Sequence, residues 1–283
     1  MTTTPTVVVG EEAAHVSAAG EGELRFVRAG RRTVVHTARA RSPLKLLLPN
    51  NHGDGSWVYV ATLGGGLVDG DVLTLSVDVE RGACALLGTQ ASTKVYRSPK
   101  GTAQTLRARV GADALLAVVP DPVSCFAEAR YEQRIDVHID DGATLLLIDT
   151  LTCGRAARGE RWALTRLSSR TRVWRGERLV FVDATLLDPR HGDVAARMGR
   201  FDAVASVLAV GPQAREVQAR VLAAASTPPQ KDASRLWSAA ALGPDAALGR
   251  LAASSAGEAV SAVRAMVAPI ASPLGDDPFA RRW

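Results

Sequence analysis

The chain has 283 residues, of which 47% are hydrophobic and 22% are charged, and its formal net charge is +5. This composition is ordinary for a soluble globular protein, and the length is enough to bury a real core in one or two domains. No apolar run approaches the roughly 18 residues that a membrane span needs. The arginines are spread along the chain without a basic stripe interleaved with aromatics, so we expect neither a membrane nor a nucleic acid as partner.

The first 22 residues lack the pattern of a secretory signal peptide. They have no basic start, and their apolar run is only three valines long. We therefore predict a flexible N-terminal tail over residues 1–22 and a cytoplasmic protein. The three cysteines, Cys84, Cys125 and Cys153, share no close spacing, which predicts reduced thiols that pack as small buried hydrophobes.

Residues 62–77, TLGGGLVDGDVLTLSV, combine three consecutive glycines with Asp69 and Asp71. A phosphate-binding loop would continue into a helix, with Gly-Lys-Ser/Thr or a dinucleotide fingerprint at its start. Here a carboxylate follows instead, and the alternation from Leu73 to Val79 predicts a half-buried strand. The segment therefore predicts a tight turn before a strand, and it leaves the role of the two aspartates open.

Three segments in the middle of the chain repeat one pattern: a strand-like lead, a Gly-Ala turn, and a more continuous apolar strand. The turns lie at Gly82, Gly111 and Gly142. Spacings of about 30 residues are typical of stacked supersecondary units. With short strand-like runs elsewhere, the pattern predicts a mainly β protein whose body, residues 23–202, is a β-helix-like stack of strands. A sandwich is the alternative.

The pattern changes after residue 202. Residues 203–210 predict a strand, 213–226 a helix, and 235–242 with 249–254 a strand pair joined by a Gly-Pro-Asp turn. Residues 256–270 predict a second amphipathic helix. This order predicts a small α+β part containing two helices, residues 203–283, packed on the β body.

The sequence contains no clustered metal ligands and no Gly-x-Ser-x-Gly nucleophile motif, so neither a structural zinc site nor an α/β-hydrolase is indicated. Candidate polar residues lie at strand ends instead. Asp149 ends one apolar run, and Asp183 interrupts another. A carboxylate in such a run needs a partner, so each forms a buried ion pair, with Arg155 or Lys94, or lines a polar cavity that contacts a cation.

Several long segments, in order along the chain, resemble one family. They are SPLKLLLP, LGGGLVDGD, LLGTQASTKVYRS, LAVVPDPVSCF, IDTLTCGRAARGE and DPFARRW. On these segments the chain resembles the UreD family, also called UreH, of urease accessory proteins. The β-helix-like fold with a small helical part fits that resemblance. The chain departs from the family's pattern at Asp69, where glycine is frequent.

The resemblance implies a scaffold and not an enzyme. Members bind the accessory protein UreF, which recruits the GTPase UreG, and the assembly, a dimer of heteromers, docks on apo-urease and passes nickel to it. An internal polar passage is the implied route. Its acidic residues correspond to Asp71, Asp149 and Asp183, with Lys94, Tyr96 and Arg155 as supporting polar residues. The resemblance implies no tightly bound cofactor, only Ni²⁺ in transit.

Two other functions remain open at this point. Paired aspartates in a β-stack could belong to a carbohydrate-active enzyme, provided that two carboxylates face one cleft. The chain could also be an interaction scaffold through which no metal passes. The scarcity of clustered cysteine and histidine, which hold Ni²⁺ well, fits a conduit and a metal-free scaffold equally.

Overall fold

The structure, a computed structural model, describes residues 19–50, 53–226, 228 and 230–280. Its strands in chain order are β1 (Ala19–Ala29), β2 (Arg32–Ala40), β3 (Leu44–Leu47), β4 (Ser56–Thr62), β5 (Val72–Val79), β6 (Cys84–Thr89), β7 (Thr93–Val95), β8 (Thr102–Val110), β9 (Leu115–Val119), β10 (Val123–Cys125), β11 (Arg130–Ile139), β12 (Thr144–Thr152), β13 (Arg166–Arg175), β14 (Arg178–Leu187), β15 (Ala203–Val210), β16 (Arg235–Ala241) and β17 (Ala246–Ala253). The α-helices are α1 (Val194–Met198), α2 (Arg215–Ala224), α3 (Ala256–Val267) and α4 (Ala271–Leu274). Short 3₁₀ turns cover Ala156–Arg158, Pro189–His191, Pro212–Ala214 and Ala268–Ile270.

The strands form two sheets. The first sheet has the order β14-β13-β11-β8-β5-β1-β2, and the second has the order β16-β17-β15-β12-β9-β6-β4-β3, with β7 and β10 joined at its side. The prediction of a mainly β protein with helices near the C-terminus is confirmed. The finer description of the body as a β-helix-like stack stays a prediction.

The sequence repeat corresponds to an alternation between the two sheets. Each unit places its lead strand in the first sheet (β5, β8, β11) and its apolar strand in the second (β6, β9, β12). Within each sheet these strands are parallel neighbours. The two strands of a unit therefore pack face to face and do not hydrogen-bond to each other.

The register of the second unit differs from the predicted one. Cys84, Leu115 and Thr144 are cross-strand partners, so the residues two positions earlier, Gly82, Asp113 and Gly142, are equivalent. All three have positive φ. Asp113 and not Gly111 therefore makes the turn in the second unit, since aspartate tolerates the left-handed region better than most residues do.

The second sheet lies in the middle of the molecule. One face packs against the first sheet, and the other is covered by α2, α3 and α4, which gives two hydrophobic cores. A strand that is buried on both faces reads as a continuous apolar run. This explains why the second strand of each unit, such as β9 with all five residues buried, lacks the alternation of the first.

The structure bears on two predicted boundaries, the end of the N-terminal tail and the start of the C-terminal part. Residues 19–22 of the predicted tail belong to β1, which pairs with β5, so the tail prediction is wrong there; residues 1–18 lie outside the described part. The predicted C-terminal strands and both helices are present, but β15 pairs directly with β12 and continues the second sheet. The division at residue 203 stays a prediction.

Candidate functional site

A polar cavity of about 270 Å³ lies between the two sheets near the β14 edge of the first sheet. Asp149 projects into it from β12, on the same face as its core neighbours Leu147 and Leu151. Asp183 lines the same cavity from β14. The structure thus brings together two carboxylates that are 34 positions apart in the sequence.

Among the described residues, the hydrogen-bond partners of Asp149 are neutral. Its Oδ2 accepts from Gln133 Nε2 at 2.8 Å and from Ser169 Oγ at 3.5 Å. Protein surrounds the carboxyl, and the little surface it keeps faces the cavity, so burial raises its pKa to about 6. The two donors act against that shift, and the nearby Asp183 charge adds to it.

Tyr131 and Gln104 extend the polar group at Gln133 along the inner face of the first sheet. The Tyr131 hydroxyl lies 2.9 Å from Gln133 Oε1 and 2.7 Å from Gln104 Oε1. A hydroxyl has one hydrogen to donate. The Tyr131 hydroxyl therefore donates to one of these two amide oxygens at a time, while Gln133 Nε2 donates to Asp149.

Asp183 has a cationic partner from the second sheet. Arg250 Nη2 of β17 donates to Asp183 Oδ1 at 2.7 Å, and both residues line the cavity. Arg155 instead pairs with Glu160, and Lys94 forms no ion pair within the described residues. The interpretation in which Arg155 or Lys94 neutralises these aspartates is therefore wrong.

Two further cavities follow the first one through the molecule. The second, of about 120 Å³, shares Val123, Gln133 and Asp149 with the first. The third, of about 300 Å³, shares Thr89 and Asp121 with the second and ends against α3. Asp121 Oδ2 there accepts from Thr89 Oγ1 at 3.0 Å. The cavities form a succession from the β14 edge of the first sheet to the helical side.

Asp71 is buried, but it lines none of these cavities. Its Oδ2 accepts from the Val68 N–H at 2.9 Å, and its backbone carbonyl accepts from the Ala103 N–H. Asp69 Oδ1 accepts from the Lys100 N–H at 2.7 Å. Asp71 therefore helps to hold the conformation of its own loop, and Asp69 joins that loop to the segment before β8.

The supporting polar residues are Lys94, Tyr96 and Arg155. They lie at the same end of the molecule as the loop with Asp69 and Asp71, and they line none of the three cavities. Tyr96 packs edge-on against Phe126, with ring centroids 5.4 Å apart. The Arg155 guanidinium lies over the Phe126 ring, 4.3 Å from its centroid. Lys94 contributes its backbone carbonyl, which accepts from the Leu67 N–H at 2.8 Å.

Sequence reasoning missed Gln133, Ser169 and Arg250 as site residues. A signal existed for Gln133, because it lies on the inward face of an alternating strand among apolar residues. Ser169 occupies a similar inward position on β13. Nothing local marks Arg250, since its role depends on β17 lying two strands from β12.

Metal and membrane features are sparse. The described part of the chain has no group of three or more His, Cys, Asp or Glu side chains placed to share a metal ion. Among the same residues, no helix has both the length and the apolar composition of a membrane span. The three cysteines are free and buried, as predicted.

The comparisons with known proteins agree. The family model described as UreD urease accessory protein matches residues 18–283. The chain is 54% identical over 265 residues to the urease accessory protein UreD of Sorangium cellulosum, covering 94% of this chain and 85% of that protein. It is 43% identical to UreD of Anaeromyxobacter sp., covering 93% and 89%, and 36% identical to urease accessory protein D of Arabidopsis thaliana, covering 71% of each.

These relatives are named as accessory proteins and not as catalytic enzymes, which supports the prediction that the chain is not an enzyme and sets aside the carbohydrate-active alternative. Their names also support a role in urease maturation. Since the family model covers nearly the whole chain and the relatives agree with it, the chain belongs to the UreD family of urease accessory proteins.

Proposed function

We propose that this chain is a urease maturation scaffold that binds UreF and, through it, UreG, docks on apo-urease and helps to deliver nickel through an internal polar passage. The observation that carries the passage is the succession of three cavities with shared walls. Asp149 belongs to the first two of them. A cation in either of these two cavities would have this carboxylate in its wall.

The ligand chemistry along the three cavities suits the transfer of Ni²⁺ better than its storage. Carboxylate and amide oxygens hold Ni²⁺ less strongly than thiolates or imidazoles do. Asp149 and Gln133 offer such oxygens, while Cys84 and Cys125 are buried in the cores, where burial raises the pKa of each thiol to about 12. A cargo that must leave the protein is better served by weak oxygen ligands.

In this proposal, the glycine-rich loop before β5 does not bind a nucleotide. The glycine-rich segment before β5 ends in buried Asp71 and leads into a strand, and any GTP chemistry belongs to UreG. Asp71 then acts by shaping its loop, and its contribution to nickel delivery would be indirect.

The test is to compare the Asp149→Asn variant with wild type in a purified assembly with UreF, UreG and apo-urease. The amide keeps the shape but is a poorer Ni²⁺ ligand than a carboxylate. We expect normal complex yield, a melting temperature that is unchanged or higher, and several-fold less nickel in urease. Asp141→Asn, which changes an exposed carboxyl on the β11–β12 turn, is the matched control.

Other outcomes separate the alternatives. Unchanged nickel in urease with the Asp149→Asn variant would remove this carboxylate from the mechanism and favour the metal-free scaffold. Failure of the wild-type chain to bind UreF or apo-urease would contradict the scaffold role itself.

A further inference from the structure

The outward side chains of β8, β11 and β13 concentrate positive charge on the outer face of the first sheet. They include seven arginines but only two carboxylates, Glu132 and Asp136. The arginines are Arg107, Arg109, Arg130, Arg134, Arg166, Arg170 and Arg172. Together with the outward side chains of β14, we call this surface the arginine face.

Part of this charge is expected to destabilise the isolated chain, because arginines lie next to each other on neighbouring strands. Arg130 faces Arg166, and Arg134 faces Arg170, directly across the β11–β13 ladder. Like charges in directly opposed positions of a sheet are destabilising. An acidic surface laid over the arginine face would relieve this repulsion.

The two carboxylates of the face are already engaged. Glu132 accepts from Arg134, with the shorter contact at 2.6 Å, and Asp136 accepts from Arg172 at 2.8 and 3.0 Å. Within the described residues, Arg107, Arg109 and Arg170 form no ion pair. Arg107 and Arg109 line a groove of about 640 Å³ on this face, which also contains Glu23 and Asp78. Asp78 is paired with Arg25, so the two unpaired guanidinium groups are available to an incoming carboxylate.

An apolar strip borders these arginines. The strand β14 is the edge of the first sheet, and its outward side chains Val182 and Leu186 are 53% and 50% exposed. Val182 lies directly beside Arg172 in the ladder, and Leu186 lies beside Ser168. Exposed apolar side chains next to arginines are a usual composition for a protein–protein interface.

The aromatic residues of the face argue against a nucleic acid as the occupant. Trp174 is stacked on His138, with ring centroids 4.6 Å apart, and Arg172 lies 4.9 Å from the Trp174 centroid. Single-stranded nucleic acids bind such surfaces by stacking bases on open aromatic faces. The Trp174 ring is already in contact with His138 and Arg172, so a partner protein is favoured.

We propose that the arginine face is a docking surface for a partner protein whose contact region places carboxylates opposite Arg107, Arg109 and Arg170 and apolar side chains opposite Val182 and Leu186. The inference rests on the proposed function, in that the partner is a component of the maturation assembly. The charges steer association, and the apolar strip supplies contact area that water leaves on binding.

The first experiment footprints arginines in the full-length chain, free and assembled with purified UreF, UreG and apo-urease. An arginine-specific dicarbonyl reagent is applied to both, and modification is located by mass spectrometry. We expect Arg107, Arg109 and Arg170 to react several-fold more slowly in the assembly. Arg215, exposed on α2 at the far side of the second sheet, is the control and should keep its rate.

The second experiment measures binding of each purified partner to Arg107→Glu, Arg170→Glu and the matched control Arg215→Glu. For the partner that covers the face, we expect about tenfold weaker binding with the first two variants at low salt and a smaller difference at high salt, because salt screens exposed charges. The control should bind as wild type does. Melting temperatures of Arg170→Glu should not fall, since the substitution removes a like-charge pair.

The outcomes are distinct. If wild type assembles, but the arginines stay reactive and both variants bind normally, the docking surface is wrong while the proposed function stands. If a single-stranded oligonucleotide protects these arginines and the proteins do not, the surface binds nucleic acid and the protein assignment fails. If wild type binds none of the three proteins, both proposals fail.

Discussion

At the scale of single residues, Asp149 is a carboxyl held between two sheets by neutral donors. Gln133 and Ser169 offset part of the cost of burying its charge, and the cavity leaves room beside it. With a pKa raised to about 6, the group is ionised at neutral pH but keeps its proton in mild acid. A cation that approaches it at neutral pH meets a carboxylate that forms no ion pair with any residue the structure describes.

The pH dependence of stability follows from this shift. Between a pH of about 4 and about 6 the folded chain holds the Asp149 proton more often than the unfolded chain, whose carboxyl keeps a pKa near 3.8. The contribution of Asp149 to the free energy of unfolding therefore falls as the pH rises through this window. We expect Asp149→Asn to be more stable than wild type at pH 7.5, by roughly 2–3 kcal/mol at most, and similar at pH 4.

Urea unfolding of both proteins at pH 4, 5.5 and 7.5 measures this effect, because the other titrating groups cancel in the difference. A difference that stays constant across the three pH values would mean that Asp149 does not titrate in this window.

Arg250 is the counter-ion of Asp183. The Arg250 side chain is 52% exposed, and a pair of this kind contributes less than about 1 kcal/mol. We therefore expect Arg250→Met to change the free energy of unfolding by less than that amount. Because Asp183 then lacks its partner, added Ni²⁺ should raise the melting temperature of this variant more than that of wild type.

Arg235→Met, which removes a comparably exposed arginine paired with Glu258, is the control for Arg250→Met. An equal response to Ni²⁺ in all three proteins would show that Arg250 does not compete with cations for Asp183.

At the scale of elements, the glycine loop before β5 is shaped by close backbone packing. Gly64 and Gly65 have φ of 91° and 70°, which favours glycine over residues with a side chain. A Cβ on Gly66 would lie 2.5 Å from the Lys94 carbonyl oxygen, where Leu67 bridges to Val95. Gly64 and Gly65 thus allow the turn, and Gly66 lets the loop pass against β7.

We expect Gly66→Ala to destabilise the protein by about 1–3 kcal/mol, because the neighbour that the new methyl group meets is backbone and cannot rotate away. Gly257→Ala is the control. It lies in the first turn of α3, where a Cβ meets only Ser255 Oγ at 3.9 Å, and alanine should stabilise the helix by about 0.5–1 kcal/mol. Chemical denaturation measures both. Equal effects of the two substitutions would contradict the packing argument.

At the scale of the whole molecule, the second sheet joins the two hydrophobic cores. Its strands contribute side chains to both, and β15 and β17 extend it towards the C-terminus. Loss of either core would expose one face of the same sheet. We therefore expect the described part of the chain to unfold in a single cooperative transition.

The buried thiols can report this cooperativity. Cys125 belongs to the core between the sheets, and Cys84 belongs to the core under the helices. Labelling by a thiol reagent across a denaturant series, with mass spectrometry to locate each modified cysteine, should give the same midpoint for both. Separate midpoints would mean that the helical side unfolds independently and would support a domain division near residue 203.

The sequence by itself determined the strands of the three repeat units, the two long helices and the family. Alternation identified the lead strands and put Gln133 on the inward face of β11, continuous apolar runs identified β6, β9 and β12, and helical spacing identified α2 and α3. These features are readable because each depends on the direction of side chains relative to their own element. Family membership was readable because several long segments occur in one order.

The tertiary structure decided which residues meet. Asp149, Asp183 and Arg250 come from three strands of two sheets, so their contact depends on strand order and register and not on any local pattern. The same holds for the arginine face, where arginines spread along the chain converge because parallel strands align every second residue. Periodicity points a side chain inward or outward, but only the packing of the whole fold selects its neighbour.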